Sequence, residues 1–255
     1  LPANDGDVTK PGQRLGVIGR ETFEFIDFLA KSGQKYWQIL PVSPTDEYGS
    51  PYAGISAFAG NINLLDPAAM EKVILECDDS QGERAAEYQA FLARNSYWLD
   101  SYAAFRAIKD LLGEGVWQEW PKQYRSWSQE LLERPELTQA IELHQKRQFA
   151  FDVIWGQTLA EARAKGIQII GDMPMFVSED SADVWAHPEL FALDDTGHTE
   201  LQAGAPADAF SQDGQLWGNP TYTWQAHKDE GYRWWIERFR RSFYLYDYTR
   251  LDHFI

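Results

Sequence analysis

The stretch FDVIWGQTLAEARAKGIQIIGDMP, residues 151–174, predicts a helix followed closely by a short buried strand. The positions expected to face the core follow the i, i+3, i+4, i+7, i+8, i+11 spacing of one helical face, and they are Phe151, Ile154, Trp155, Thr158, Leu159 and Ala162. Gly166 marks the end of the helix, because glycine adopts the left-handed conformation of a helix C-cap without strain. Residues 167–170 then form the expected strand, with Gly171 and Asp172 at its tip.

The same order of elements occurs before and after this stretch. Residues 21–32 predict a helix that Gly33 ends, and residues 36–42 predict the strand that follows it. A further helix begins near Gly231 and leads into a strand that ends at Asp252. One face of that helix carries Tyr232, Trp235, Ile236, Phe239 and Phe243.

Helices that alternate with short apolar strands predict an α/β fold with parallel strands and crossover helices. A barrel and a doubly wound sheet both have this pattern. In both, functional side chains gather beyond the carboxyl ends of the strands, where this sequence places long polar loops. No Gly-x-Gly-x-x-Gly run follows a strand, so a dinucleotide site is not predicted and a barrel is favoured.

Two stretches are too long to be simple connections within the single predicted domain, residues 1–255. Residues 67–145 are acidic and contain helical patches at 83–115 and 128–145, which predicts an inserted helical subdomain. Residues 173–225 show little periodicity. An ordered loop of that length is usually a lid or a binding loop, so we expect this region to contact the ligand.

Composition limits the classes of partner. The net charge of -16 leaves no basic surface for the phosphates of a nucleic acid, so no nucleic-acid partner is expected. The chain is rich in aromatic residues, with 11 Trp, 12 Tyr and 14 Phe. Such rings stack on the apolar faces of sugars, although core packing is the commoner role of any single Trp.

Neither metal nor membrane signals occur in the sequence. The five His residues are scattered without the spacing of metal ligands, and no apolar run approaches the roughly 20 residues of a membrane-spanning helix. The single cysteine, Cys77, excludes an intrachain disulfide framework and is compatible with the reducing cytoplasm, which is the expected location. The chain begins with Leu1 rather than Met, so the lack of a signal peptide is weak evidence on the location of the protein.

Candidate ligand-binding side chains follow the predicted strands. Tyr52 lies in the loop after the first strand and offers either a platform for a sugar ring or a ring packed beneath Pro51. Asp172, at the tip of the second strand, either binds a substrate hydroxyl or caps the next turn. Trp217 lies between Gly214 and Gly218, whose backbone freedom suits a ring that closes over a ligand as well as an ordinary turn.

Arg250 and Asp252 are the candidate catalytic pair. If their segment is a strand, its period of two places both side chains on one face, close enough for the guanidinium to keep the carboxylate ionised. An ionised, oriented Asp at a strand end is a good nucleophile. The alternative is an ion pair that only closes the strand.

A series of motifs in order along almost the whole chain resembles one known family. They are GQKYWQILP (33–41), SPY (50–52), SAFAGN (56–61), GDMP (171–174), DSADVW (180–185), GQLWGNP (214–220) and RLDHF (250–254). The family is the 4-α-glucanotransferases, also called amylomaltases or disproportionating enzymes, which are relatives of the α-amylases. The resemblance implies a (β/α)8 TIM barrel, of which this chain holds about strands 2 to 4 with their helices. It also implies no cofactor and no metal.

The resemblance implies retaining transfer of an α-1,4-glucan segment to the 4-hydroxyl of another glucan, with maltooligosaccharides as partners. On this basis Asp252 is the expected nucleophile and Arg250 its hydrogen-bonding partner. The expected substrate-binding residues are Tyr52, Asp172 and His253 beside the cleaved bond, Trp217 over the acceptor side, and Asn219 in the same motif as Trp217.

The general-acid Glu and a third carboxylate of the family are expected beyond residue 255, so the isolated chain is expected to be inactive. A non-catalytic glucan-binding protein that keeps Tyr52, Asp172 and Trp217 is the main alternative. A hydrolase of the α-amylase group is a lesser one, because the motif series matches the transferases better.

Overall fold

The computed structural model describes residues 16–46, 49–79, 82–207 and 212–252. Its helices are α1 (Arg20–Lys31), α2 (Pro67–Asp78), α3 (Glu83–Leu112), α4 (Pro135–Ala164), α5 (Ala182–Ala186), α6 (Trp224–Asp229) and α7 (Arg233–Leu245). Its strands are β1 (Tyr36–Gln38), β2 (Gln168–Met173), β3 (Gln202–Ala205), β4 (Gln215–Pro220) and β5 (Tyr248–Leu251). None of these described helices is both long and apolar enough to cross a membrane.

The central sheet has three parallel strands in the order β1-β2-β5. Tyr36 pairs with Gln168 at one end of the register, Met173 pairs with Leu251 at the other, and Asp172 pairs with Arg250 just before that end. Helices connect the strands, which confirms the predicted parallel arrangement. The carboxyl ends of β2 and β5 therefore lie at the same edge of the sheet.

The first strand is shorter than the sequence pattern predicts. β1 ends at Gln38, and only the amide of Ile39, which donates to the Ile170 carbonyl at 3.0 Å, extends the pairing. The prediction of a strand through residue 42 was therefore wrong. Pro41 has no amide hydrogen to donate to a neighbouring strand, and the carbonyl of Val42 instead accepts a hydrogen bond from Asn61 at 2.7 Å.

Helix α4 is one continuous helix of 30 residues, where the sequence suggested separate patches on either side of residue 145. The part of the patch before Pro135 forms a 3-10 turn at Gln129–Glu133. Along its length α4 packs on α3 in the 67–145 region and, further on, beneath β2. The inserted subdomain stays a prediction, and its proposed boundary at 145 falls inside this helix.

The 173–225 region contains more regular structure than its weak periodicity suggests. Helix α5 lies within it, and β3 and β4 form a two-stranded antiparallel sheet with an irregularity between Gln202 and Gly204. The strands approach closely at Gly204, where an added Cβ would lie 2.2 Å from the carbonyl oxygen of Gln215. Glycine is therefore required at this position for the two strands to pair.

Gly171 in β2 is a point of close packing beneath the strand ends. A Cβ at this position would lie 2.2 Å from the ring of Tyr246, whose hydroxyl accepts a hydrogen bond from the Val42 amide at 3.2 Å. The ring fills the space that a side chain would need. Tyr246 is 5% exposed, so it has little room to move aside.

Replacing Gly171 by Ala is expected to lower the free energy of unfolding by about 1–3 kcal/mol, because the added methyl group overpacks the Tyr246 ring. Gly156→Ala is the control, since Gly156 is exposed within α4 and an added Cβ there meets no atom within 4 Å. That change is expected to stabilise the helix by about 0.5–1 kcal/mol. Urea unfolding of both variants measures the two effects, and a Gly171→Ala variant as stable as the parent would contradict the packing argument.

Candidate active site

Arg250 bridges two carboxylates at the carboxyl ends of β2 and β5. Its Nη1 donates to Oδ2 of Asp172 at 2.6 Å, and its Nη2 donates to Oδ1 of Asp252 at 2.5 Å. Asp172 is paired with Arg250 in the strand register, while Asp252 follows the last residue of β5. The backbone amide of Asp252 still donates to the Met173 carbonyl at 3.2 Å, so the sheet geometry fixes both ends of the bridge.

The predicted contact between Arg250 and Asp252 is therefore present, and Asp172 joins it. Asp172 and Asp252 are 3% and 8% exposed, whereas the side chain of Arg250 is half-exposed. The negative charges of Asp172 and then Asp252 raise the pKa of Arg250 above its ordinary value. A permanent positive charge between two buried carboxylates offsets their mutual repulsion.

Tyr52 reaches the same cluster from the loop after β1. It lies in a 3-10 turn, Pro51–Ala53, which begins where the hydroxyl of Ser50 accepts a hydrogen bond from the Tyr52 amide at 3.3 Å. Its phenol donates to Oδ2 of Asp172 at 2.8 Å. Partial burial and then the hydrogen bond to Asp172 raise the pKa of Tyr52, so the phenol stays protonated and donates.

Asp172 thus binds side chains across the cleft through Oδ2, rather than capping the next turn. Its second oxygen, Oδ1, is buried without a hydrogen-bond partner among the described residues. Asp172 also lines a cavity of about 40 Å³, whose wall includes Ser43, Ser56 and Tyr246. Because Oδ1 is buried, the contact of Asp172 with a substrate hydroxyl stays a prediction.

Trp217 lies on β4, flanked by Gly214 and Gly218 with φ angles of 72° and 76°. Its indole nitrogen donates to the side-chain oxygen of Gln215 at 3.0 Å, and its ring lies 6.2 Å from that of Phe176. The ring is half-buried. It therefore belongs to a folded two-stranded element, and its contact with an acceptor sugar stays a prediction.

The two remaining predicted residues differ in what the structure describes. Asn219 is 5% exposed, and its Nδ2 donates to the Val177 carbonyl at 2.8 Å, so its amide nitrogen anchors backbone. His253 lies outside the described residues. The substrate contacts of both stay predictions.

Glu179 and Asp208 are the carboxylates of the 173–225 region that could substitute for the general acid, and Asp208 lies outside the described residues. Burial alone would raise the pKa of Glu179, but hydrogen bonds from Thr199 and His198 lower it below the ordinary value. A general acid in glycoside chemistry needs a raised pKa. Glu179 instead fixes the 199 backbone, whose amide donates to its Oε2 at 2.6 Å.

Sequence patterns missed two buried arginines of α7, which support this edge of the sheet. Arg238 is 2% exposed and donates to the carbonyls of Pro174 and Met175, directly after β2. Arg241 is 4% exposed and pairs with Asp152 of α4 at 2.9 Å. The available signal was their place on the helix face that carries Trp234 and Trp235, where a charged residue needs a buried partner.

The residues described contain no group of three or more His, Cys, Asp or Glu side chains able to hold a metal ion. What the site does present is an arginine-bound carboxylate at the end of β5, a second carboxylate at the end of β2, and a phenol that donates to the latter. This set can attack an electrophilic carbon and hold neighbouring hydroxyl groups.

Comparison with known proteins places this chain in a family. The family model for 4-alpha-glucanotransferases, glycoside hydrolase family 77, matches residues 9–82 and 68–255. The chain is 38% identical to the 4-alpha-glucanotransferase of Thermus thermophilus and 40% identical to that of Aquifex aeolicus, in each case over 94% of this chain. It covers 55% and 56% of those proteins, so it spans about half the length of these relatives.

The structure is similar to an amylomaltase from Streptococcus agalactiae that was solved in complex with acarbose. The TM-score is 0.83 at 38% sequence identity, over 94% of this chain and 56% of that one. The parallel strands β1, β2 and β5 with their helices are thus part of a (β/α)8 barrel, as the sequence predicts. The chain belongs to the 4-alpha-glucanotransferase family of the glycoside hydrolases.

Proposed function

We propose that the complete protein transfers a segment of an α-1,4-glucan to the 4-hydroxyl of another glucan or of glucose. The observation that carries this proposal is the bridge from Asp172 through Arg250 to Asp252, with Tyr52 bound to Asp172, in a chain of this family. The site lies where barrel enzymes place their chemistry, beyond the carboxyl ends of the strands.

In the proposed reaction a carboxylate oxygen of Asp252 bonds to the anomeric carbon as the bond to the departing glycosidic oxygen breaks. That oxygen takes a proton from a general acid, which is expected beyond residue 255. The acceptor 4-hydroxyl then bonds to the anomeric carbon from the face that the leaving group vacated, while the bond to Asp252 breaks and its carboxylate is released, so the configuration is retained. The acid regains its proton from that hydroxyl.

Each residue of the cluster has a role in this scheme. Arg250 aims Asp252, because its guanidinium is fixed between two carboxylates. Asp172 fixes Arg250 and Tyr52 through Oδ2 and is the proposed partner of a sugar hydroxyl, and Tyr52 presents a 37% exposed ring beside it. Sugar rings stack on such aromatic surfaces.

The proposed partners are maltooligosaccharides and other α-1,4-glucans, and the proposed location is the cytoplasm. Two observations support the ligand class. The aromatic ring of Tyr52 lies beside the carboxylate of Asp172, to which its phenol donates, and a similar amylomaltase was solved with acarbose. The proposed location rests on Cys77, the single cysteine, which is compatible with a reducing compartment.

The test is incubation of the complete protein with maltotriose, followed by separation of glucose and maltodextrins. Transfer predicts glucose together with products longer than maltotriose. Binding of maltotriose without any product would instead support the glucan-binding alternative, and shorter products alone would support a hydrolase. Chain 1–255 is assayed in parallel and is expected to form no product, because the proposed acid lies outside it.

Replacing Trp217 by Ala is expected to raise the ratio of hydrolysis to transfer several-fold. The loss of one aromatic surface weakens acceptor binding by about 0.5–1.5 kcal/mol, while water still reaches the glucosyl-enzyme. Leu216→Ala is the matched control, since Leu216 is the neighbouring residue of β4 and is 80% exposed. Product ratios from maltotriose measure the effect, and an unchanged ratio in Trp217→Ala would assign the ring to packing alone.

A further inference from the structure

Residues 173–178, which directly follow Asp172, are tied to the other members of the cluster through their backbone. We refer to them as the 173–178 segment. The carbonyl of Met173 accepts the hydrogen bond from the Asp252 amide at 3.2 Å. At the other end, the amide of Ser178 donates to the carbonyl of Gly54 at 3.2 Å, two residues after Tyr52. A shift of this segment therefore moves the surroundings of all three site residues.

The same segment supports the strand that carries Trp217. The carbonyl of Val177 accepts a hydrogen bond from Asn219 at 2.8 Å. The ring of Phe176 stacks on Tyr222 at 5.6 Å, with an interplanar angle of 16°, and also lies 6.2 Å from the Trp217 ring. Phe176 thus lies against the Trp217 ring and supports it, and we refer to this contact as the backing of Trp217.

Arg238 holds the middle of the segment from helix α7. Its Nη1 donates to the Met175 carbonyl at 3.0 Å and its Nη2 donates to the Pro174 carbonyl. Nη1 also contacts the hydroxyl of Tyr222 at 3.1 Å, and that hydroxyl donates to the same Met175 carbonyl at 2.6 Å. One guanidinium therefore binds two adjacent carbonyls and the hydroxyl of Tyr222, whose ring stacks on Phe176.

The geometry requires an arginine. The guanidinium carbon lies 5.1 Å from the ring centres of both Trp234 and Trp235, so the side chain is fixed among aromatic rings. A planar, forked donor can reach adjacent carbonyls at once, whereas the ammonium of lysine is a single point charge on a flexible stem. Burying this charge is unfavourable without such partners, which indicates that the position of the segment depends on it.

We propose that Arg238 is a positioning residue that couples the sugar-binding side of the site, at Asp172, to the acceptor side, at Trp217. It holds the 173–178 segment so that Phe176 backs Trp217, and it thereby favours a sugar acceptor over water. This inference rests on the proposed transferase function. Arg238 itself contacts neither the carboxylates nor, in this scheme, the glucan.

The test compares Arg238→Lys with the parent in the complete protein, with Arg240→Lys as the matched control. Arg240 lies on the same helix with a 67% exposed side chain, and its ion pair with Glu237 is on the surface. Arg238→Lys is expected to raise the ratio of hydrolysis to transfer at least about threefold, the range of a lost aromatic contact. Arg240→Lys is expected to leave the ratio unchanged. Circular dichroism and urea unfolding verify that each variant is folded.

A double variant separates positioning from general destabilisation. If Arg238 acts through the backing of Trp217, then Arg238→Lys adds nothing to the product ratio of Trp217→Ala. Tyr222→Phe keeps the ring stacked on Phe176 but loses the hydroxyl, and it is expected to shift the ratio in the same direction by a smaller factor. It serves as the second probe if Arg238→Lys does not fold.

The possible results separate this inference from the proposed function. A parent protein without transfer would reject the function itself. A parent that transfers, with an unchanged ratio in folded Arg238→Lys or Tyr222→Phe, would reject only the role of Arg238. Independent, multiplying effects of Arg238→Lys and Trp217→Ala would reject the coupling.

Discussion

Replacing Asp252 by Asn is expected to lower turnover of the complete protein on maltotriose at least about a thousandfold, which is roughly 4 kcal/mol of activation free energy. The amide is nearly isosteric with the carboxylate but cannot attack the anomeric carbon. Its oxygen can still accept the hydrogen bond that Arg250 now gives to Asp252, so the fold around β5 is expected to remain. The loss should therefore appear in turnover rather than in stability.

Initial rates of glucose release give the measurement, and Asp195→Asn provides the control. Asp195 is an exposed carboxylate in the turn that precedes β3, so the same chemical change there is expected to leave turnover within about twofold of the parent. A loss of less than tenfold in Asp252→Asn would remove this residue from the role of nucleophile.

Replacing Arg241 by Met is expected to lower the free energy of unfolding by about 3–5 kcal/mol, the range for breaking a buried ion pair from one side. Arg241 donates to Asp152 at 2.9 Å and to the Phe58 carbonyl at 3.0 Å, and it lies over the ring of Trp98. Methionine fills similar volume but leaves the carboxylate of Asp152, which is 8% exposed, without its main charge partner.

Arg240→Met tests whether losing any arginine from this part of α7 lowers the free energy of unfolding. The preceding residue is exposed, so its loss is expected to change stability by less than about 0.5 kcal/mol. Adding Asp152→Leu to Arg241→Met should recover part of the stability, because no buried charge then lacks a partner. Urea unfolding of the three variants gives the values, and equal losses in Arg240→Met and Arg241→Met would show that the buried pair contributes little.

Local periodicity was enough to predict α1, the later part of α4, α7 and the direction of the strands in the central sheet. The predicted helix at 21–32 is α1, Arg20–Lys31, and the predicted strand ending at Asp252 is β5, Tyr248–Leu251. Helix faces and strand runs depend on neighbours within a few residues, which the sequence displays directly. The end of β1 and the pairing of β3 with β4 depend instead on partners distant in sequence, and periodicity does not show them.

In the candidate site, too, contacts between residues close in sequence could be predicted and contacts between distant residues could not. The contact of Arg250 with Asp252 spans two residues, so the period of a strand predicted it. The bond from Tyr52 to Asp172 joins residues 120 positions apart, and only the folded chain brings them together. Arg238 and Arg241 were missed because a charged residue in a helix is normally exposed, and their buried partners lie on other elements.

Helix α4 packs beneath the sheet edge that carries the candidate site. Its 30 residues span about 45 Å, and an intact helix bends little over that distance. Toward its start, His144 contacts Asp110 of α3 at 2.7 Å; further along, the indole of Trp155 donates to the Leu245 carbonyl at 2.8 Å, just before β5 begins. The packing of α4 on α3 and the position of the strand that carries Arg250 are therefore joined through one continuous helix, so a substitution that loosens α4 is expected to disturb both.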